Sequence, residues 1–156
     1  MTSLEQRVRA AFEVGGPLAK AGQSFQRRDG QVEMAVAVAQ ALHQSTSLVV
    51  EAGTGVGKTV AYLVPLLLSG HRAVLSTATH LLQAQLAQRD VPAISLAMGL
   101  PVRVAVLKGR SNYVCLHRLD QACQGVGGAQ LQDPYLAAKL ESLRQWAHRS
   151  REGDFS

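Results

Sequence analysis

"SLVVEAGTGVGKT", Ser47 to Thr59, decides the fold. A short apolar, β-branched run from Ser47 to Glu51 leads into a glycine-rich loop, and a helical stretch opens at about Gly57. That order is strand, phosphate loop, helix. A helix N-terminus exposes unpaired N–H groups and carries a partial positive charge, so an anion placed there is stabilised by geometry and electrostatics together. Glycines at 53, 55 and 57 let successive backbone N–H groups turn inward without a side chain in the way. Lys58 is then placed to reach the β- and γ-phosphates of a nucleotide, and the Thr59 hydroxyl to ligate Mg²⁺. The general motif has glycine where this chain has Ala52. A positive φ would be costly for alanine, so an ordinary negative φ is expected there. A glycine-rich turn with an incidental lysine is the competing reading, and the apolar run before the loop and the helix after it weigh against that.

Outward from the loop, "RAVLST" (Arg72 to Thr77) and "VRVAVL" (Val102 to Leu107) read as two further strands, with a helix from Thr79 to Gln88 between them. Strand and helix alternating at this spacing predict an α/β, doubly wound architecture: a parallel sheet with helices on both faces. Pro65 is expected to kink or end the helix after the loop, because it cannot donate to the preceding turn. Upstream, Ser3 with Gln6 three positions later forms a capping-box pattern for a short helix that Gly15-Gly16-Pro17 ends. A loop through "AGQSFQRRDG" leads to "QVEMAVAVAQALH", which reads as a largely buried helix. Beyond Leu107 the expected elements are a helix near Cys115 to Gln121, a glycine-rich loop at Gln124 to Gly128, and a helix opened by Asp133-Pro134.

At 156 residues the chain is one ordinary domain's worth of sequence, and 47% hydrophobic with 17% charged residues is a globular balance. The longest apolar run, Val60 to Leu68, is far short of the roughly 20 residues a spanning helix needs, so no membrane span is expected. The N-terminus has scattered charges and does not read as a signal peptide, which makes the cytoplasm the default location. Two cysteines, Cys115 and Cys123, are too few for a disulfide framework. A net charge of +5 is a mild pull toward polyanions, equally satisfied by a solvated basic surface.

Nucleotide hydrolysis needs more than the loop. P-loop enzymes hold Mg²⁺ with a second group, an Asp at the end of a later apolar strand. The acids after the loop are Asp90, Asp120, Asp133, Glu141, Glu152 and Asp154, and none ends a run of four apolar residues. A recognisable second acid is therefore missing.

Four stretches, in order, resemble the DinG/XPD-type iron–sulfur DNA helicases of superfamily 2, most closely the bacterial DinG/YoaA branch. "RDGQVEM" has Arg28, Gln31 and Met34 at the spacing of that family's adenine-recognising Q motif. "EAGTGVGKT" resembles motif I, with Ala52, Gly53, Thr54, Gly55, Val56, Gly57, Lys58 and Thr59 as the nucleotide-binding residues. "STATHLLQAQL", Ser76 to Leu86, is similar to motif Ia, and "LKGRSNYVCLHRL", Leu107 to Leu119, to the segment that carries the first cluster cysteine, here Cys115. The resemblance implies a first RecA-like motor domain over residues 1–110 and the truncated beginning of an iron–sulfur insertion over 111–156.

Several roles follow from the resemblance. Gln31 would read adenine, accepting from N6 and donating to N7. Lys58 and Thr59 would serve catalysis with ATP and Mg²⁺. Thr77, Thr79, His80 and Gln83 would grip single-stranded or forked DNA; a Thr N-cap with a satisfied polar turn is the alternative for the same residues. A [4Fe–4S] cluster needs four thiolates, so Cys115 could serve as a ligand only in an intact protein that brings the others. The helix bearing Trp146 and running into "GDFS" resembles an early part of the insertion, cut off midway, so the chain is expected to be the N-terminal portion of an ATP-dependent 5′ to 3′ helicase that unwinds nothing alone. A non-enzymatic nucleotide-binding module and, less well supported, a small P-loop kinase are the alternatives; such kinases generally place the loop near the N-terminus, whereas here about fifty residues precede it.

Overall fold

Residues 2–21, 26–125 and 133–155 are described by a computed structural model of the chain. The chain divides into two compact units, Met1–Val106 and Leu107–Ser156. Part of the loop before Arg28 and most of the expected loop at Gln124 to Gly128 lie outside the described residues.

In the first unit the core is helical. Helix α1 (Leu4–Ala11) starts on Ser3, whose hydroxyl accepts from the Gln6 N–H while the Gln6 side chain accepts from the Ser3 N–H, so the capping box is complete. Helix α2 (Pro17–Ala21) is a short turn that no signal in the sequence announces. Helix α3 (Asp29–Gln44) presents Val32, Ala35, Val36 and Ala39 to helix α4 (Lys58–Ser69), which answers with Ala61, Leu63, Val64 and Leu68. Val8, Ala11 and Phe12 of the α1 end join the same cluster, as do Leu18, Leu86, Val91 and Ile94.

Pro65 does not end α4. The helix runs four residues past it to Ser69 and stops at Gly70, whose φ of 71° is the left-handed cap that glycine adopts without strain. Pro65 itself is fully buried, and its packing in the core offsets the one backbone hydrogen bond it forgoes. Helix α5 (His80–Gln85) begins on Thr79 and passes into a π-helical turn, Leu86–Asp90, before helix α6 (Val91–Met98). The widening has a local cause. Pro92 has no N–H to return to the Gln88 carbonyl, and the Val91 N–H bonds to Leu86 instead. Gln85 and Arg89 both donate to the Asp90 carboxylate, at 2.8 and 2.9 Å.

The expected sheet is not observed. Among the described residues none of Ser47–Glu51, Arg72–Thr77 or Val102–Leu107 forms a strand, and the sole bridge joins Tyr113 to Asp154. Val49 and Val74 are 97% and 95% exposed, where a sheet covered on both faces would bury them. The apolar, β-branched composition of these segments states a preference for strand, but a strand exists only through the ladder it forms with a neighbouring strand, and none of the three is in such a ladder.

The second unit packs helix α7 (Leu116–Cys123) against helix α8 (Pro134–Arg149), with the Asp120–Arg144 ion pair linking them at 3.2 Å. Asp133 caps α8 through the Tyr135 N–H, with Pro134 in the first turn, as expected from that dipeptide. The "GDF" stretch then pairs with the segment before α7. Val114 N–H donates to Gly153, Phe155 N–H donates to Asn112, and Lys108 meets Asp154 at 2.6 Å with only 15% and 21% of the two side chains exposed. The Lys108 N–H also donates to the Tyr113 hydroxyl. Replacing Asp154 by asparagine is expected to cost this unit about 1 kcal/mol, read as a lower urea midpoint whose deficit shrinks at high salt; a midpoint unmoved by the substitution would show the pair to be idle.

A candidate nucleotide site at the start of helix α4

Between Glu51 and Gly57 the chain turns tightly into α4. Gly55 and Gly57 have φ of 81° and 88°, which only glycine adopts at low cost, whereas Gly53 needs no such freedom. Ala52 keeps out of the positive-φ region, as expected. Lys58 folds back over the loop and donates to the Ala52 and Gly53 carbonyls at 2.8 and 2.9 Å. The ammonium is thus held on the carbonyls that open the loop, and the first N–H groups of α4, at the loop's other end, have no helical partners. Thr59 is in the first turn of α4, half-buried.

Gln31 is the buried polar side chain of the core, 6% exposed, and its Nε2 donates to the Gly57 carbonyl at 3.0 Å across 26 positions of sequence. Arg28 is the exposed N-cap residue of α3. Its neighbour Arg27 holds Glu13, just past α1, with one guanidinium nitrogen at 2.9 and 2.8 Å from the two carboxylate oxygens, and also faces Asp29 at 3.7 Å. The structure therefore brings Gln31 onto the loop. Neither this bond nor the Arg27–Glu13 pair was legible in the sequence, since no local spacing announces a partner so distant.

The remaining expected residues lie elsewhere. Thr77 donates its hydroxyl to the Thr79 carbonyl, and the Thr79 hydroxyl accepts from the Leu82 N–H, so both are engaged as a polar turn and helix cap. His80 is exposed and Gln83 half-buried on α5. Cys115 and Cys123, both free thiols, stand at opposite ends of α7, about 12 Å along its axis and beyond disulfide reach. Two cysteines do not make the four-thiolate set of a [4Fe–4S] cluster, and no group of three His, Cys, Asp or Glu side chains converges among the described residues. The chain's own residues do not fit that cluster.

A glycine-dependent turn feeding a twelve-residue helix, a lysine folded back onto it and a hydroxyl one residue on have the arrangement of a P-loop. The family model of the DEAD/DEAH box helicases matches residues 33–130, and the chain belongs to that family, whose fold is that of the P-loop NTPases. It is 44% identical to the ATP-dependent DNA helicase YoaA of Haemophilus influenzae over 153 residues, 97% of this chain and 23% of the relative. Against YoaA of Escherichia coli the identity is 46%, over 93% of this chain and 22% of the relative. The ATP-dependent helicase DinG of Mycobacterium tuberculosis is 41% identical over 82% of this chain. The chain thus spans less than a quarter of the length of the curated relatives it matches. No solved structure matches it. Among the described residues no helix is long and apolar enough to cross a membrane.

Proposed function

We propose that this chain is the nucleotide-holding portion of an ATP-dependent DNA helicase motor. The single observation that carries the reading is the seating of Lys58 in a turn whose glycines at 55 and 57 have positive φ, at the head of α4. In this reading the loop N–H groups from Gly53 to Thr59 cradle the phosphates and Lys58 exchanges its two carbonyl partners for phosphate oxygens. Both are acceptors of the same donor, so the exchange keeps the ammonium satisfied. Thr59 would hold Mg²⁺, which when bound neutralises charge on the phosphates. Arg28 and Gln31 would flank the base, Gln31 through its carbonyl oxygen and the N–H not engaged by Gly57.

Thr77, Thr79, His80 and Gln83 would meet the backbone of single-stranded DNA. Helicase activity itself belongs to the longer protein, in which the three apolar segments would run as parallel strands between helices on both faces. Names borne by the similar relatives, ATP-dependent DNA helicases, support this reading over a small kinase. A binding module that uses ATP without turnover shares the same site, and nucleotide binding without phosphate release by this chain suits both readings.

Calorimetric titration with magnesium ATP tests the site directly. A one-to-one complex that GTP forms more weakly is the expected result; a folded sample that binds neither nucleotide nor inorganic tripolyphosphate would overturn the reading. Fluorescence anisotropy of a labelled single strand tests the DNA contact, and the affinity should fall as salt rises.

A further inference from the structure

We propose that Gln31 is a positioning residue for the phosphate loop, holding the turn in place through the Gly57 carbonyl as well as facing the base. This rests on the nucleotide-site reading above and extends it. The Gly57 carbonyl accepts twice, from the Ala61 N–H at 3.2 Å as the first acceptor of α4 and from Gln31 Nε2 at 3.0 Å. The carbonyl is therefore tied to both α3 and α4. These two helices pack against each other in the core, so the bond fastens the loop to that pair.

Three features make the arrangement specific. Gln31 is buried, so water does not replace the loop carbonyl as its partner. A reversed amide would set Oε1 against the Gly57 oxygen, two acceptors facing each other, so the carbonyl selects one of the two amide orientations. A Cβ on Gly57 would collide with the Gln31 amide nitrogen and displace the amide from its seat. The φ of 88° favours glycine at the residue preceding the lysine, and glycine also leaves that seat open for Gln31.

A residue that only reads the base leaves binding of a base-free polyphosphate unchanged when it is removed, whereas one that positions the loop does not. The full chain, Gln31→Met and Gln31→Glu are titrated with magnesium ATP, magnesium GTP and magnesium tripolyphosphate, with folding checked by circular dichroism and melting. Methionine fills the space without a donor, and glutamate keeps the shape while losing the N–H. Both variants are expected to bind tripolyphosphate about fivefold more weakly, the worth of one hydrogen bond, and to lose the preference for ATP over GTP as well. Unchanged tripolyphosphate affinity with a loss confined to ATP would overturn the proposal. Amide hydrogen exchange over Gly53–Thr59 without ligand gives a second reading: faster exchange in Gln31→Met supports it, and equal rates refute it. Failure of the nucleotide-site reading looks different, because wild type and Lys58→Ala would then respond alike to tripolyphosphate.

Discussion

Replacing Lys58 by alanine is expected to weaken magnesium nucleotide binding about thirty- to hundredfold, the loss of a charged hydrogen-bond donor worth roughly 2–3 kcal/mol. The side chain is exposed and its two partners are loop carbonyls that water can reach, so the fold should lose less than about 1 kcal/mol. The two effects separate cleanly in a thermal shift experiment. Ligand at a hundred times its dissociation constant stabilises a protein by about 2.7 kcal/mol, and a hundredfold weaker site brings that to about 0.4 kcal/mol at the same concentration. Melting temperature without nucleotide should hardly move, while the increment that ATP adds should nearly vanish. An undiminished increment would remove Lys58 from the site.

Phe12→Ala is expected to produce the largest loss of stability, about 3–5 kcal/mol, set against the 5–15 kcal/mol that a typical domain possesses. Phe12 stands just past α1 with a fully buried side chain, in the cluster formed with Val8, Ala11, α3 and α4. Truncating the ring removes apolar burial and leaves a cavity among α1, α3 and α4 that the packed helices only partly relax to fill. The guanidinium midpoint should fall with little change in slope. Because α3 carries Gln31 and α4 carries the phosphate loop, nucleotide affinity measured on the residual folded protein should fall too. A loss below about 1 kcal/mol would place α1 outside the cooperative unit that holds the site.

Legibility differed by the range of the interaction. Ser3 with Gln6, Asp133 with Pro134 and Thr79 as a cap are signals whose partners lie within a few residues, and the structure has each of them in place. Ala52 was likewise readable, because the steric cost of positive φ is a property of one residue. Pro65 does not end α4, because its cost is local while its compensation, burial in the core, is not. The parallel sheet is not confirmed among the described residues, and the reason is physical: strand propensity is a request for a neighbour, and the neighbour is a tertiary matter.

From its residues alone this chain was bound to turn at Gly55 and Gly57, to start a helix at Lys58 and to offer an ammonium and a hydroxyl beside that helix's free N–H groups, because backbone sterics and helix ends are settled within a few residues. Only the tertiary structure decided that Gln31 lies on the Gly57 carbonyl, that Glu13 holds Arg27, and that Gly153, Asp154 and Phe155 pair back onto Asn112, Tyr113 and Val114. Those contacts join residues 14 to about 40 positions apart, and chain connectivity at that range is too loose to choose them until burial of the apolar faces has brought the helices together.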